Sequence, residues 1–224
     1  MKPPFELDPP VNDSRYPYPV YDGGRKFYEQ TRMIGDWGIG KDDGIVADIG
    51  CGPIPFPYAN LLIDKNVDND ERWGHGIPND GREIIYADLE VGLPFPDKHV
   101  DFLYCSHVLE HLNDPVQGCR EIIRVAKRGF IEVPTIVYEM LFGGDESLHE
   151  WVAEYFYPTE MLIFRKLSPQ EREAIKKRKE DGERFIKRLQ LPGGDRYCGE
   201  YFEHQDLFTV CFIWKDNFKF AVYS

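Results

Sequence analysis

One stretch near residue 50 constrains the fold of this 224-residue chain more than any other. It reads Val46-Ala47-Asp48-Ile49-Gly50-Cys51-Gly52-Pro53-Ile54-Pro55, and Leu61-Leu62-Ile63-Asp64 follows it. A short apolar run bounded by turn residues is typical of a strand buried on both faces of a parallel sheet. Glycines in the turn can adopt positive φ and let a ligand approach the backbone closely. The stretch therefore predicts a strand, a glycine turn and a second strand that ends in a carboxylate.

The position of Asp64 indicates which class of ligand this turn binds. Ligands of open parallel sheets bind beyond the carboxyl ends of the strands, where Asp64 can accept hydrogen bonds from two ribose hydroxyls. A dinucleotide site needs Gly-x-Gly-x-x-Gly at the start of a helix and an acid about 20 residues on. Here Pro55 stands at the third glycine position and Asp64 lies 12 residues after Gly52. Prolines would break that helix, so we expect a ribose ligand without phosphates, which disfavours a nicotinamide dehydrogenase.

Four segments in order resemble the class I S-adenosylmethionine-dependent methyltransferases. Asp48 to Gly52 is similar to their first motif, Asp64 to their ribose-binding acid, and Ala87-Asp88-Leu89-Glu90 to their adenine-binding motif. Residues 95–115 resemble the fourth-strand segment of the methyltransferase type 11 group. The resemblance covers about residues 44 to 134 and implies a Rossmann-like α/β sheet, mostly parallel with a C-terminal antiparallel hairpin. The chain departs from the methyltransferase family in two places. Ile54 stands where the family's own first motif has its third glycine, and the family's first helix is reduced here to a proline-rich loop.

The resemblance implies S-adenosyl-L-methionine as the cofactor and a set of residues that bind it. The first motif and the fourth strand would surround the methionine end, Asp64 the ribose, and Asp88 with Leu89 the adenine. For Asp88 a simple turn cap is the alternative. The full set of expected cofactor-binding residues is Asp48, Gly50, Cys51, Gly52, Asp64, Lys65, Asp88, Leu89, Cys105 and Ser106.

Methyl transfer from a sulfonium mainly requires alignment of donor and acceptor, and a hydroxyl acceptor gains from a general base. His107 directly follows the fourth strand and is the expected base, with Glu132 and His149 as weaker candidates. We expect His111 to be structural. His107 and His111 with Glu110 or Asp114 are an alternative metal set, but their faces diverge on a helix, so we expect no metal.

The chain is long enough for one α/β domain with elaborations. We divide it into an N-terminal arm and helix (1–43), a cofactor-binding core (44–134), a variable acceptor-side insertion (135–206) and a terminal hairpin (207–224). Two helix starts are well marked: Asp114 before Pro115, and the capping box of Ser168 and Glu171, whose charged helix is expected to reach about residue 190. Short helices are expected over 25–34 and from Ile136 to Phe142. The helix that starts at Asp114 is expected to end at Gly129, with Glu121 facing water.

Composition limits the partners. The 27 basic and 39 acidic residues give a net charge of −12, which disfavours nucleic acid as the acceptor. We expect no signal peptide and no membrane span, and five cysteines without Cys-x-x-Cys spacing indicate reduced thiols, so a cytoplasmic location is expected. Aromatic residues gather in segments 15–28, 151–164 and 197–220, which favours a small-molecule or sugar/glycan hydroxyl as acceptor. The alternative is a non-catalytic S-adenosylmethionine-binding regulatory or scaffold protein. The sequence leaves the oligomeric state open.

Overall fold

The computed structural model describes residues 44–53, 55–66, 76–142, 149–178 and 205–223. Its main element is a six-stranded sheet with the strand order β3-β2-β1-β4-β5-β8. The bounds of these strands are β1 Val46–Ile49, β2 Leu61–Asp64, β3 Glu83–Tyr86, β4 Phe102–Ser106, β5 Arg128–Pro134 and β8 Thr209–Lys215. All neighbours are parallel except β8, which runs antiparallel to β5. The predicted α/β fold class, with a mostly parallel sheet, is confirmed.

The predicted strand, glycine turn and strand are present. Every residue of β1 and β2 is buried, as expected for central strands covered on both faces. β1 lies between β2 and β4, so its carboxyl end, with the glycine turn, is at the middle of one sheet edge. Between β1 and β2, residues 50–53 and 55–60 form turns and contain no helix, as the prolines predicted.

The last strand differs from the prediction. A second, three-stranded sheet has the order β6-β7-β9, formed by β6 Trp151–Phe156, β7 Met161–Lys166 and β9 Lys219–Tyr223. The two predicted C-terminal strands both form, but β9 pairs in parallel with β7 instead of closing a hairpin with β8. At the bend between them, the Asp216 N–H donates to the Lys127 carbonyl and the Asp216 carbonyl accepts from Lys98 Nζ. These contacts anchor the bend beside the segments that precede β4 and β5. From there β9 joins the second sheet.

The predicted helix after β4 is confirmed, with two corrections. Helix α1, Pro115–Val125, starts at Asp114, whose side chain accepts from the backbone N–H groups of Val116 and Gln117. It ends at Val125, before the predicted stop at Gly129, because β5 already begins at Arg128. Glu121 was expected to face water but is buried, since it pairs with Arg124 at 2.6 Å and accepts from the Leu93 N–H.

Three further helices are described. Helix α2, Ile136–Phe142, has the predicted bounds; α3 covers 169–178; and α4, Gln205–Phe208, replaces the start of the predicted strand at Leu207. The capping box of α3 is confirmed, because the Glu171 N–H donates to Ser168 Oγ and the Ser168 N–H donates to Glu171 Oε2. The N-terminal arm, the helix expected over 25–34 and the rest of the charged helix lie outside the described residues. Among the helices of the described ranges, none is long and apolar enough to cross a membrane.

The two faces of the main sheet are covered differently. One face carries the larger core, which α1 and the second sheet complete with side chains such as Ile122 and Phe164. On the other face, Phe56 of the proline loop is fully buried and stacks on Tyr104 at 4.4 Å between ring centroids. The loop is fixed there by Arg82 Nη1, which donates to the carbonyls of Phe56 and Ala59. Phe56 of the proline loop thus covers part of this face.

Candidate functional site

A pocket opens at the carboxyl ends of β1, β2 and β3 and beside the segment that follows β4. It is lined by Ile49, Gly50, Asp64, Lys65, Asn66, Ala87, Asp88, Leu89, His107, Val108, His111 and Leu112. Six of the eleven residues predicted for the site are in this lining: Gly50, Asp64, Lys65, Asp88, Leu89 and His107. They come from four separate chain segments, and the parallel sheet brings those segments to one edge.

The glycine turn and Asp64 are connected by hydrogen bonds. Gly50 has a φ of 65° and its N–H donates to the Ile63 carbonyl at 2.7 Å. Asp64, 7% exposed, accepts from the Gly52 N–H through Oδ2 at 3.1 Å and from the Asn66 N–H through Oδ1 at 3.0 Å. An ionised carboxylate has about four acceptor positions, so these two contacts orient Asp64 and leave it capacity for ligand hydroxyls.

Asp88 forms a turn cap and also lies at the pocket. Its Oδ1 accepts from the Glu90 N–H at 2.9 Å, which is the turn-cap arrangement, and the residue also lines the pocket. The following turn is held to the start of α1, because Glu90 Oε1 accepts from the Asp114 N–H. Buried Leu89 adds an apolar surface beside the carboxylate. This pairing of an acceptor with an apolar wall suits a base that carries an amino group.

Five of the predicted cofactor residues are not in the pocket lining: Asp48, Cys51, Gly52, Cys105 and Ser106. The Asp48 carboxylate accepts from the Phe56 N–H at 2.6 Å, so it fixes the proline loop. Ser106 Oγ donates to Glu132 Oε2 at 2.6 Å. Burial raises the pKa of the Cys51 and Cys105 thiols well above the usual range, so both stay protonated and neither is a nucleophile. Four of the predicted reduced cysteines are in the described residues, and none of these four forms a disulfide there.

His107 lies directly after β4, where β4 still pairs with β5. Its N–H donates to the Glu132 carbonyl at 3.0 Å, and its φ of 56° is a left-handed conformation that few non-glycine residues adopt. The Nδ1 atom is 3.2 Å from Glu110 Oε1 and Nε2 is 3.8 Å from Glu132 Oε1. The ring therefore lies between two carboxylates at the pocket wall, with its side chain 29% exposed.

A second group of polar side chains lies behind this wall. Glu110 and His111 belong to the 3-10 turn Leu109–His111, and His149 comes from the segment before β6. The Nε2 atoms of His111 and His149 are 4.0 and 3.9 Å from Glu110 Oε1. His149 Nδ1 also contacts Glu139 of α2. No local sequence pattern links His149 to this turn. The link is made by the Glu150 N–H, which donates to the Glu110 carbonyl.

Glu110 is a fully buried carboxylate. Burial acts to raise its pKa, but the hydrogen bond with His107 and the nearby imidazoles of His111 and His149 outweigh burial and lower the pKa of this carboxyl. Within the part of the chain that the structure describes, its Oε2 atom makes no hydrogen bond.

The described residues form one wall of a small pocket at this sheet edge. The space they enclose is about 70 Å³, whereas small-molecule pockets commonly hold roughly 300–1,000 Å³. The groups on this wall fit the nucleoside half of S-adenosylmethionine, because Asp64 suits ribose hydroxyls and Asp88 suits an exocyclic amine.

Residues 47–131 match the family model described as a methyltransferase domain. The match confirms the predicted resemblance over that segment and supports S-adenosylmethionine as the cofactor. No curated protein sequence matches the chain.

Solved structures similar to the chain include three with related descriptions. A putative methyltransferase from an antibiotic biosynthesis pathway of Anabaena variabilis has 18% identity, with 50% of this chain and 47% of that one covered and a TM-score of 0.40. A SAM-dependent methyltransferase from Aquifex aeolicus has 22% identity, 48% and 65% coverage and a TM-score of 0.35. The YcgJ protein of Bacillus subtilis has 15% identity, 83% and 94% coverage and a TM-score of 0.40. The chain thus spans about half the length of the first of these.

Proposed function

We propose that this chain, whose residues 47–131 match the methyltransferase domain family, is an S-adenosylmethionine-dependent methyltransferase that acts on a hydroxyl of a small molecule or sugar. One observation carries the proposal: Gly50, Asp64, Asp88 and His107 line the same pocket at the carboxyl edge of the sheet. Nucleoside-binding groups and a candidate base thus share one wall.

The residues of this wall have separable functions. Asp64 would accept from the ribose hydroxyls, and Asp88 with Leu89 would contact the adenine. When bound there, S-adenosylmethionine would supply an activated methyl group to the acceptor oxygen, with S-adenosylhomocysteine as the leaving group. His107 would take the proton of the acceptor hydroxyl on its imidazole, held in place by Glu110 and Glu132.

The choice of a hydroxyl acceptor depends on His107. A hydroxyl is a weak nucleophile until its proton is removed, so a positioned imidazole adds roughly 10²–10⁴-fold to its rate. The aromatic enrichment gives less support than the sequence indicated. In the described part of segments 151–164 and 197–220, Tyr155, Phe212, Phe218 and Phe220 pack on one another and on the core.

The first test is cofactor affinity, measured by calorimetric titration with S-adenosylmethionine and S-adenosylhomocysteine. Asp64→Asn removes one charged acceptor and is expected to weaken binding about 10- to 100-fold, since a hydrogen bond to a charged group contributes roughly 1.5–3 kcal/mol. Asp97→Asn is the matched control, because the Asp97 carboxylate is 78% exposed and pairs with Arg124 instead. Equal affinities of wild type and Asp64→Asn would overturn the ribose assignment.

The second test separates an enzyme from a non-catalytic binder. Formation of S-adenosylhomocysteine is followed with a panel of phenols, sugars and small alcohols. We expect turnover with a hydroxyl acceptor, and a loss of about 10²–10⁴-fold in kcat for His107→Gln with cofactor affinity retained. Tight cofactor binding without turnover on any acceptor would favour the regulatory or scaffold alternative.

A further inference from the structure

We propose that Glu110, His111 and His149 bind one divalent transition-metal ion of the Zn²⁺ class, with Glu139 orienting His149. One possible ligand atom of each of the three residues lies within 4.8 Å of the others. Two imidazoles and one carboxylate are a donor set that zinc and the neighbouring first-row metals take.

The first argument is the unpartnered oxygen of Glu110. The residue is 0% exposed, yet its Oε2 atom has no hydrogen-bond partner among the described residues. Burying a carboxylate is costly unless its oxygens are paired or bind a cation. The surrounding groups do not remove the need for a cation, because two more carboxylates lie close by: Glu139 against His149, and Glu132 against His107. A divalent ion would compensate this concentration of negative charge when the imidazoles are neutral.

The second argument is the orientation of the histidines. His149 contacts Glu139 through Nδ1, so the proton is expected on Nδ1 and the lone pair of Nε2 faces Glu110. A carboxylate that fixes the tautomer of a ligating histidine is the usual outer partner in metal sites. The Nε2 atoms of His111 and His149 are 4.0 and 3.9 Å from Glu110 Oε1, and an ion at about 2.0–2.1 Å from each atom would draw them closer together.

The third argument is that the three residues are held by structure that does not depend on the cluster. Glu110 and His111 belong to one 3-10 turn, and Trp151 Nε1 donates to the Leu112 carbonyl directly after it. The Glu150 N–H donates to the Glu110 carbonyl, which fixes His149 beside the turn. His111 also lines the cofactor pocket, so an ion here would lie at the pocket wall.

The test uses the full chain without a histidine tag, after removal of bound metal with a chelator. Zn²⁺ is titrated in competition with a chromophoric chelator, and Co²⁺ is then bound to report the ligands by visible absorption. We expect one equivalent of either metal and no thiolate charge-transfer band, because the cluster contains no cysteine. Glu139→Gln is expected to weaken binding about 10- to 100-fold.

Two further variants and a control decide the outcome. Glu110→Gln and His149→Gln keep the size of the side chains and are expected to remove the Co²⁺ spectrum. His99→Gln is the control, since His99 is exposed and stacks on Phe95. Circular dichroism of each variant checks that it is folded.

Equal metal binding by wild type and Glu110→Gln, a thiolate band, or no competition with the chelator would each overturn the proposal. The cluster would then be a hydrogen-bonded histidine–carboxylate network. The S-adenosylmethionine titration on the same preparations keeps this inference separate from the proposed activity: cofactor binding without metal binding overturns only the metal site.

Discussion

Gly50 is the residue at which backbone conformation and packing restrict the site most strongly. Its φ of 65° lies in the left-handed region, and a Cβ atom there would come within 2.4 Å of Val108 Cγ2. Val108 is the neighbour of His107, whose own φ is also positive. Gly50 of the first motif therefore packs closely against Val108, the residue that follows the candidate base. A non-glycine residue with this left-handed backbone conformation costs about 1–3 kcal/mol, and such residues cluster at ligand sites.

Gly50→Ala is expected to lower the free energy of unfolding by about 2–4 kcal/mol, from backbone strain together with the clash against Val108. Gly81→Ala is the matched control. Gly81 has a φ of 91° and nothing within 4 Å of the added Cβ, so only the backbone part of the loss is expected. Chemical denaturation measures both. The double variant Gly50→Ala with Val108→Ala should recover part of the lost free energy of unfolding, because it removes the clash. Equal losses for Gly50→Ala and Gly81→Ala would contradict the account, since the clash with Val108 would then add nothing to the backbone strain.

At the scale of elements, the capping box that starts α3 contributes to the free energy of unfolding, and this contribution depends on pH. The hydrogen bond from Arg165 and those from Ser168 lower the pKa of Glu171 from 4.5 to about 2. Because the pKa in the folded chain lies below the ordinary value, the contribution is fully present above about pH 5. It is lost as the pH falls towards 2.

Glu171→Gln is therefore expected to destabilise the chain by about 1 kcal/mol at pH 7, in the range of other helix caps, and by less as the pH falls from 5 towards 2. The measurement is the difference in free energy of unfolding between variant and wild type at several pH values. Glu173→Gln serves as the control on the same helix, since the Glu173 side chain is 56% exposed and pairs with exposed Lys177 at 3.2 Å. A difference that stays constant down to pH 3 would contradict the capping account.

Helix bounds that depend on residues close in sequence could be predicted. Strand pairings and burial that depend on partners distant in sequence could not. The bounds of α2, the start of α1 at Asp114 and the capping box at Ser168 all depend on residues within one helical turn. The pairing of β9 depends on a free edge of β7, which no local pattern reveals. Glu121 was assigned to the surface because it is charged, but its carboxylate is buried where it pairs with Arg124 and accepts from the N–H of Leu93, 28 residues before it.

The same distinction applies to the site. Gly50, Asp64 and Asp88 stand at strand ends, where the strand pattern and the family motif place them at one sheet edge. Asp48 belongs to the same motif, but the proline loop recruits its carboxylate to the Phe56 N–H. His149 lies 38 residues from His111 in sequence. It reaches Glu110 because the segment before β6 packs beside the 3-10 turn, and no sequence pattern predicts that contact.

At the scale of the whole molecule, the two sheets share one hydrophobic core. Leu103 of β4 and Phe164 of β7 are both fully buried in the same cluster, together with Ile122 of α1 and Trp214 of β8. Unfolding of one sheet would expose the apolar face of the other. The described parts of the core and of the variable segment should therefore unfold together.

Leu103→Ala and Phe164→Ala test this cooperativity from opposite sheets. Each is expected to lower the free energy of unfolding by about 3–5 kcal/mol, through lost apolar contact and the cavity left behind. Each should shift one common transition, whether it is followed by circular dichroism or by the fluorescence of the tryptophans. Val91→Ala is the control, because Val91 is 85% exposed and its truncation should leave the midpoint almost unchanged. If Phe164→Ala produced a separate early transition while the main one kept its midpoint, the second sheet would be an independent unit and the shared core would not couple the two.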